Sequence, residues 1–459
     1  MTTDPSGPAL PPPGCPAHEG RYPLYRLGDD AAAVYQHLRA QGPVVPVELS
    51  PGVPASLITG YDEALQVLRD PTTFRKDPRG WQQTVPDDCP VLPMMMYRPN
   101  CRHADGAAHS RLRLAVTDSL ERVDVFALRG YVERNADMLI GRFAPRGAGD
   151  LVADYARVLP LLVFNEMFGC PPDIGDRLVL GMSGIFDTVN AKQSNEIMRD
   201  AVLELVRLKR REPAQDVTTW LAEHPVGLTD EEMMHQILTL LGAGTEPLQN
   251  LIVNGLRLLL SEERFAGDLS GGNLQVEDAL DEILWTDPPL ANFAMTYPAE
   301  DVEFRGVTLP KDQPVVISFA AANTDPALAG EHREGNRAHL SWSAGPHTCP
   351  AQGPARLIAS AAIEKVLDAL PDMELAVPAN MLKWRPGPFH RALHSLPVNF
   401  PPVTGTTQTA SEPIPAAEMT APQEGLAAVL TARKPAHPPE PASRLNHWRR
   451  TARDWFRRT

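Results

Sequence analysis

Cys349 is the residue best placed to do chemistry, because of its setting in the run His339-Leu-Ser-Trp-Ser-Ala-Gly-Pro-His-Thr-Cys-Pro-Ala-Gln-Gly-Pro-Ala-Arg356. A lone cysteine is ordinarily a small buried apolar residue. This one follows Trp342, Gly345 and His347, and an Ala-rich helical pattern runs on through Ala355, Arg356, Ile358 and Ala359. Glycine before the cysteine lets the backbone turn sharply, so that amide N–H groups can point at the sulfur and stabilise a thiolate. A helix starting just after the cysteine aims its positive end at the same atom. Such a loop suits an anionic sulfur, the ligand that pushes electron density onto haem iron and favours O–O cleavage.

Two other stretches carry polar groups at telling intervals. In Asp105-Gly-Ala-Ala-His109-Ser-Arg-Leu-Arg113, the histidine and the last arginine are four positions apart, hence on one helix face, and both can donate to a carboxylate. The apolar pattern from Met233 to Leu260 predicts a long helix carrying Leu241-Gly-Ala-Gly-Thr-Glu-Pro247. Pro247 lacks the N–H that would bond the Ala243 carbonyl, which predicts a kink there and a carbonyl free to hold water.

Together these segments resemble the cytochrome P450 superfamily, over about Tyr22 to Phe400. The cysteine run is similar to its haem-binding loop, F-x-x-G-x-[HR]-x-C-x-G. Trp342 stands for the Phe, Gly345 and His347 match, Cys349 falls at the axial ligand, and Ala351 replaces the second glycine. The helical pair matches D-x-x-x-H-x-x-x-R at the start of helix C. The resemblance implies that His109 and Arg113 hold the propionates of haem b, with His347 doing likewise. Leu241–Pro247 resembles [AG]-G-x-[DE]-T-T of helix I. By that resemblance Ala243 and Gly244 leave room for the macrocycle and O2, and Glu246 supplies the acid. Ala299–Pro310 and Ala321–Pro326 also match superfamily segments.

The departures are specific. The helix-I threonine that assists proton delivery is Pro247, and Thr245 cannot replace it, since two helical positions rotate a side chain by about 200°. In Asp278-Ala-Leu-Asp-Glu282-Ile-Leu-Trp285, Trp285 replaces the arginine of the helix-K E-x-x-R pair, as in a minority group of bacterial members. Glu282 can then pair with Arg333 or Arg337 while Trp285 stacks on the guanidinium, or it is less buried and the core locally repacked. Thr296 stands where a propionate-binding arginine is expected; Tyr297 offers a hydroxyl instead or serves as a packed aromatic. Pro350, after the ligand, removes one N–H donor to the sulfur, which predicts a more electron-rich thiolate.

Further elements must position these groups. Periodicity predicts a helix over Ala31–Ala40, a hairpin of Val44–Leu49 and Ala55–Thr59 turned at Ser50-Pro51-Gly52, and a helix over Tyr61–Arg69. Residues 70–104 read as loop and 107–266 as mainly helical. A helix over Val276–Trp285 and β-like pieces at Val302–Leu309 and Val315–Phe319 follow. The expected fold is mainly α with small β-sheets, the superfamily's haem-thiolate domain, over residues 21–400. A Pro-rich segment over 1–20 precedes it. A disordered Pro/Ala-rich linker over 401–443 leads to a basic amphipathic helix over 444–459, where Leu445, Trp448, Trp455 and Phe456 share one face. That helix suits an anionic membrane surface or a protein partner, or packs back on its own acidic domain.

The chain has 459 residues, 43% hydrophobic and 22% charged, enough to bury a large core. Its net charge of -14 disfavours nucleic acid as a partner. No run of about 20 apolar residues predicts a membrane span, and the start lacks a signal-peptide pattern, so a cytoplasmic location is expected. Five widely spaced cysteines without CxxC argue against a disulfide framework or structural zinc. The resemblance thus implies a haem-thiolate monooxygenase acting on an apolar small molecule. Met94, Met95, Met96, Phe186, Leu240 and Phe293 are candidate pocket residues. With no flavin or iron–sulfur domain evident, electrons must come from a separate ferredoxin-type donor. Two alternatives stand beside it: a haem-binding scaffold that has lost catalysis, tethered by its C-terminal helix, and peroxide-driven oxygenation.

Overall fold

The computed structural model describes residues 20–186, 191–262, 273–328 and 335–403. The expected Pro-rich N-terminal segment, the linker and the basic helix lie outside the described residues.

A 32-residue helix, Asp230–Ser261, runs through the middle of the fold. Its start is fixed by a capping box. The Thr229 hydroxyl accepts the Glu232 N–H at 3.1 Å, and the Glu232 carboxylate accepts the Thr229 N–H at 2.9 Å. Asp230, Glu231 and Glu232 in the first turn complement the helix dipole. Apolar residues recur around the C-terminal half, and Leu251, Ile252, Leu256 and Leu259 are all buried there. They share one core with Leu139 and Ile140 of helix Val125–Phe143, Leu280 and Ile283 of helix Asn273–Thr286, and Ile363 and Val366 of helix Gln352–Ala369. Pro247 does not interrupt the helix. One rung of the ladder is lost at Pro247, and the helix continues to Ser261.

Among the described residues the largest sheet has six strands, in the order Tyr22–Pro23, Val44–Ser50, Val53–Ile58, Val315–Ser318, Asn292–Pro298 and Phe74–Arg75. The hairpin Val44–Ser50/Val53–Ile58 is antiparallel with Val44 opposite Ile58, and Leu57 pairs in parallel with Val316. Asn292–Pro298 bulges against its neighbour. Phe293 faces Ile317 and Thr296 faces Val315, so the bulged strand carries one extra residue, and Ala294 takes φ +49°. The stretch expected to be loop over 70–104 contains short helices at Arg79–Gln82 and Leu92–Met95 and a 3-10 turn at Cys101–His103. Each is a single turn, too short to leave a periodic signal. The result is mainly α with small sheets, as the sequence led us to expect.

Candidate active site

The cysteine loop is built by a sequence of tight turns. A 3-10 turn over Leu340–Trp342, Ser343 at φ +62° and a second turn over Gly345–His347 bring the Cys349 N–H onto the Trp342 carbonyl at 2.8 Å. Gly345 is required twice over. Its φ is +69°, and a Cβ there would lie 2.4 Å from the Leu68 carbonyl oxygen at the end of helix Tyr61–Arg69. Helix Gln352–Ala369 starts three residues after the sulfur. Burial pushes the Cys349 thiol up, while the Ala351 N–H and the Arg113 guanidinium pull it down. One backbone donor and one nearby positive charge thus favour the anion, yet desolvation outweighs them for the free thiol.

Cys349 lines a mostly apolar cavity that the central helix also lines at Leu240, Ala243, Gly244, Pro247, Leu248 and Leu251. Gly244 packs under the Phe164 ring, where a Cβ would meet the ring carbons at 2.8 Å. Pro247 itself faces the cavity. Thr245 does not, and its hydroxyl donates to the Leu241 carbonyl at 2.6 Å within the helix. Of the expected pocket residues, Met95, Leu240 and Phe293 line the cavity. Met94 and Met96 instead pack against the core around the large sheet, and the side chain of Phe186 lies outside the described residues.

Glu246 differs from expectation. It is not among the cavity-lining residues. Its carboxylate accepts a hydrogen bond from Arg385 and lies 3.7 Å from His390 Nε2. The reason is rotation: with Gly244 and Pro247 turned to the cavity, position 246 faces the neighbouring strand–loop region. Burial raises the Glu246 carboxyl, but His390 and Arg385 outweigh it, and the net shift is downward.

One end of the cavity is cationic. Arg113 lines it and donates to the Thr348 carbonyl and, through Nε, to Thr117 at 3.1 Å. His347 also lines it, with its ring 4.0 Å from that of His109. Both Nε2 atoms are buried without a well-formed hydrogen bond, and His347 Nε2 lies 3.5 Å from Asp105 Oδ1. Burial lowers both imidazoles, to about 4 for His109. Lys76, Arg102, His103 and Tyr297 face the same cavity, and reading the sequence missed the first three. No aspartate or glutamate lines it among the described residues. A sulfur in the lining, a mostly apolar space and a cationic end with unpaired imidazole nitrogens fit a haem with two carboxylates.

At the helix-K departure Glu282 is half-buried, as in the second of the two expected arrangements. Trp285 is buried; its Nε1–H donates to the Asn336 carbonyl at 2.8 Å and its ring meets His339 edge-on at 5.7 Å. Arg337 pairs with Asp281 at 3.1 Å and Glu277 at 3.6 Å, and Arg356 from the helix after Cys349 binds both acids. Glu277 and Asp281 lie four apart, so one helix face presents two carboxylates to that arginine. Arg333, the other expected partner of Glu282, lies outside the described residues.

Comparison with protein-family models finds no match. Curated relatives cover most of the chain. It is 31% identical to the cytochrome P450 monooxygenase PikC of Streptomyces venezuelae, over 82% of this chain and 94% of that protein. It is 30% identical to the vitamin D(3) 25-hydroxylase of Pseudonocardia autotrophica, over 80% and 93%. Among solved structures, CYP154C4 from Streptomyces sp. W2061 superposes with a TM-score of 0.73 at 28% identity, covering 82% of this chain and 97% of that one.

Proposed function

The chain belongs to the cytochrome P450 superfamily, and on that premise we propose that it inserts one oxygen atom from O2 into a mostly apolar small molecule, drawing electrons from a separate ferredoxin-type protein. It is a haem b monooxygenase. When bound, haem supplies the iron at which O2 is activated. The observation that carries the reading is one cavity lined together by Cys349 and by Ala243, Gly244 and Pro247 of the central helix.

In this reading Cys349 would hold the iron, its loop fixed by the bond to the Trp342 carbonyl. Arg113, His109 and His347 would hold propionates through donors that are otherwise unpaired or aimed at the cavity. The apolar wall of Met95, Phe164, Leu240, Leu248 and Phe293 excludes water and takes the substrate by hydrophobic burial. Gln236, whose Nε2 is buried and unpaired, and Thr239 are polar groups on that wall able to orient a substrate hydroxyl or carbonyl. Proton supply cannot use a threonine at position 247. The Ala243 carbonyl, left without its helical N–H partner, is the acceptor for a water, with Glu246 and His390 behind the helix as the route from Arg385, which is 35% exposed.

The test is turnover of a hydrophobic substrate panel with ferredoxin, ferredoxin reductase, NADPH and ¹⁸O2. One ¹⁸O atom per product supports the reading. Product formed only with hydrogen peroxide would contradict the need for a redox partner, and no oxygenated product under either regime would overturn it.

A further inference from the structure

Thr296, at the position where the superfamily has a propionate-binding arginine, is buried in the sheet, where its hydroxyl makes a long contact of 3.4 Å to the Val315 carbonyl. It does not reach the cavity. A cation nevertheless stands beside that strand. The Lys76 side chain crosses from the neighbouring strand end and donates to the carbonyls of Ala294 and Met295, each at 3.1 Å. Those two residues form the bulge of Asn292–Pro298, whose extra residue takes carbonyls out of the ladder and turns them toward the ammonium. The bulge thus fixes Lys76 within two positions of Thr296, and the ammonium keeps a third N–H while lining the cavity.

Arg102 lines the same cavity. It lies over the Phe293 ring at 4.7 Å, and its hydrogen bond to the Met94 carbonyl is long, 3.4 Å. Its charged neighbours include Arg98, and it in turn disfavours the charge on Lys76. Asp105 is the acid that favours that charge, and its Oδ2 is bonded to the Lys76 backbone N–H at 2.8 Å, not to the ammonium. Burial lowers Lys76 to about 7 and Arg102 to about 10. Two desolvated cations facing one cavity, with no aspartate or glutamate on its wall among the described residues, are stabilised when an anion enters it.

We propose that Lys76 and Arg102 form a carboxylate site that takes over the role of the arginine missing at position 296 and holds a haem propionate. The site rests on the haem-binding reading above. It lies beside Arg113 and His347 at the same cationic end, so Lys76 and Arg102 add donors to that set. Its chemistry is that of any carboxylate, and a carboxylated substrate is the competing occupant.

The experiment compares full-length wild type, Lys76→Met, Arg102→Met, Lys76→Arg and Lys76→Met/Thr296→Arg. Haem transfer to excess apomyoglobin is timed, and decanoate binding is followed by its Soret shift. Carbon monoxide difference spectra and circular dichroism verify ligation and folding in each variant. The expected result is haem release about tenfold faster in Lys76→Met and Arg102→Met, near wild type in Lys76→Arg, and restored by Thr296→Arg. Unchanged release with lost decanoate binding would overturn the haem assignment and give the site to a substrate carboxylate. Unchanged release and unchanged decanoate binding would overturn the site itself. A wild type that holds no haem would instead contradict the family reading, a separate failure visible before any variant is made.

Discussion

The rings of His109 and His347 lie 4.0 Å apart at an angle of 39°, joining the start of helix Gly106–Glu121 to the cysteine loop across 238 positions of sequence. Each leaves a buried Nε2 without a well-formed hydrogen bond, an arrangement that costs free energy until an acceptor arrives. His109→Phe keeps the ring packing and removes the donor. We expect its melting temperature without haem to stay near that of the wild type and haem release to apomyoglobin to quicken by about threefold to tenfold. An unaltered release rate would remove His109 from the propionate set.

Glu246, held by Arg385 and His390, has a carboxyl pKa below its ordinary value of 4.5 despite burial. A depressed carboxylate contributes stability that is fully present above the unfolded value and is lost as pH falls through the folded one. Acid unfolding of the wild type should therefore include a component below about pH 4.5 that Glu246→Gln lacks. The same carboxylate serves the proposed proton route, so Glu246→Ala should lower NADPH coupling by about tenfold. Wild-type coupling in that variant would rule the route out.

Trp285 fills the place of the helix-K arginine with an indole whose N–H is bonded to the Asn336 carbonyl at 2.8 Å. Trp285→Phe removes that bond and some volume, and we expect a loss of about 1–2 kcal/mol in denaturant unfolding. The Soret band should be unmoved, because the ion pairs of Arg356 with Glu277 and Asp281 are made elsewhere. Loss of haem binding would mean that Trp285 does more than pack.

Pro350 withholds an N–H from the Cys349 sulfur, leaving that of Ala351 as the backbone donor acting on the thiol. Pro350→Leu restores a donor, and each hydrogen bond to a thiolate draws charge from it. The haem reduction potential should rise by on the order of 50 mV. Equal potentials in the two proteins would show that the added N–H does not reach the sulfur.

What could be read from sequence was local. Helix Tyr61–Arg69 and the hairpin turned at Pro51-Gly52 follow from periodicity and turn residues within a few positions. The Gly345-x-His347-x-Cys349 spacing located the cysteine loop for the same reason. What escaped depends on distant partners. Lys76 reaches carbonyls 218 and 219 positions away, and Glu246 meets Arg385 across 139. Neither pairing leaves a periodic trace. The sign of Glu246 was legible, but its direction was not, because a one-residue change in helical phase separates the cavity from the wall behind it. The Arg356 brace had a readable signal in Glu277 and Asp281, two acids spaced four apart facing an arginine-bearing helix.

The measurement that tests the account most directly is the carbon monoxide difference spectrum of the dithionite-reduced full-length protein beside Cys349→Ala. A strongly red-shifted Soret band in the wild type, absent from the variant, is what thiolate ligation by Cys349 predicts. A band typical of a neutral ligand in the wild type, or the same red-shifted band in both proteins, would contradict it.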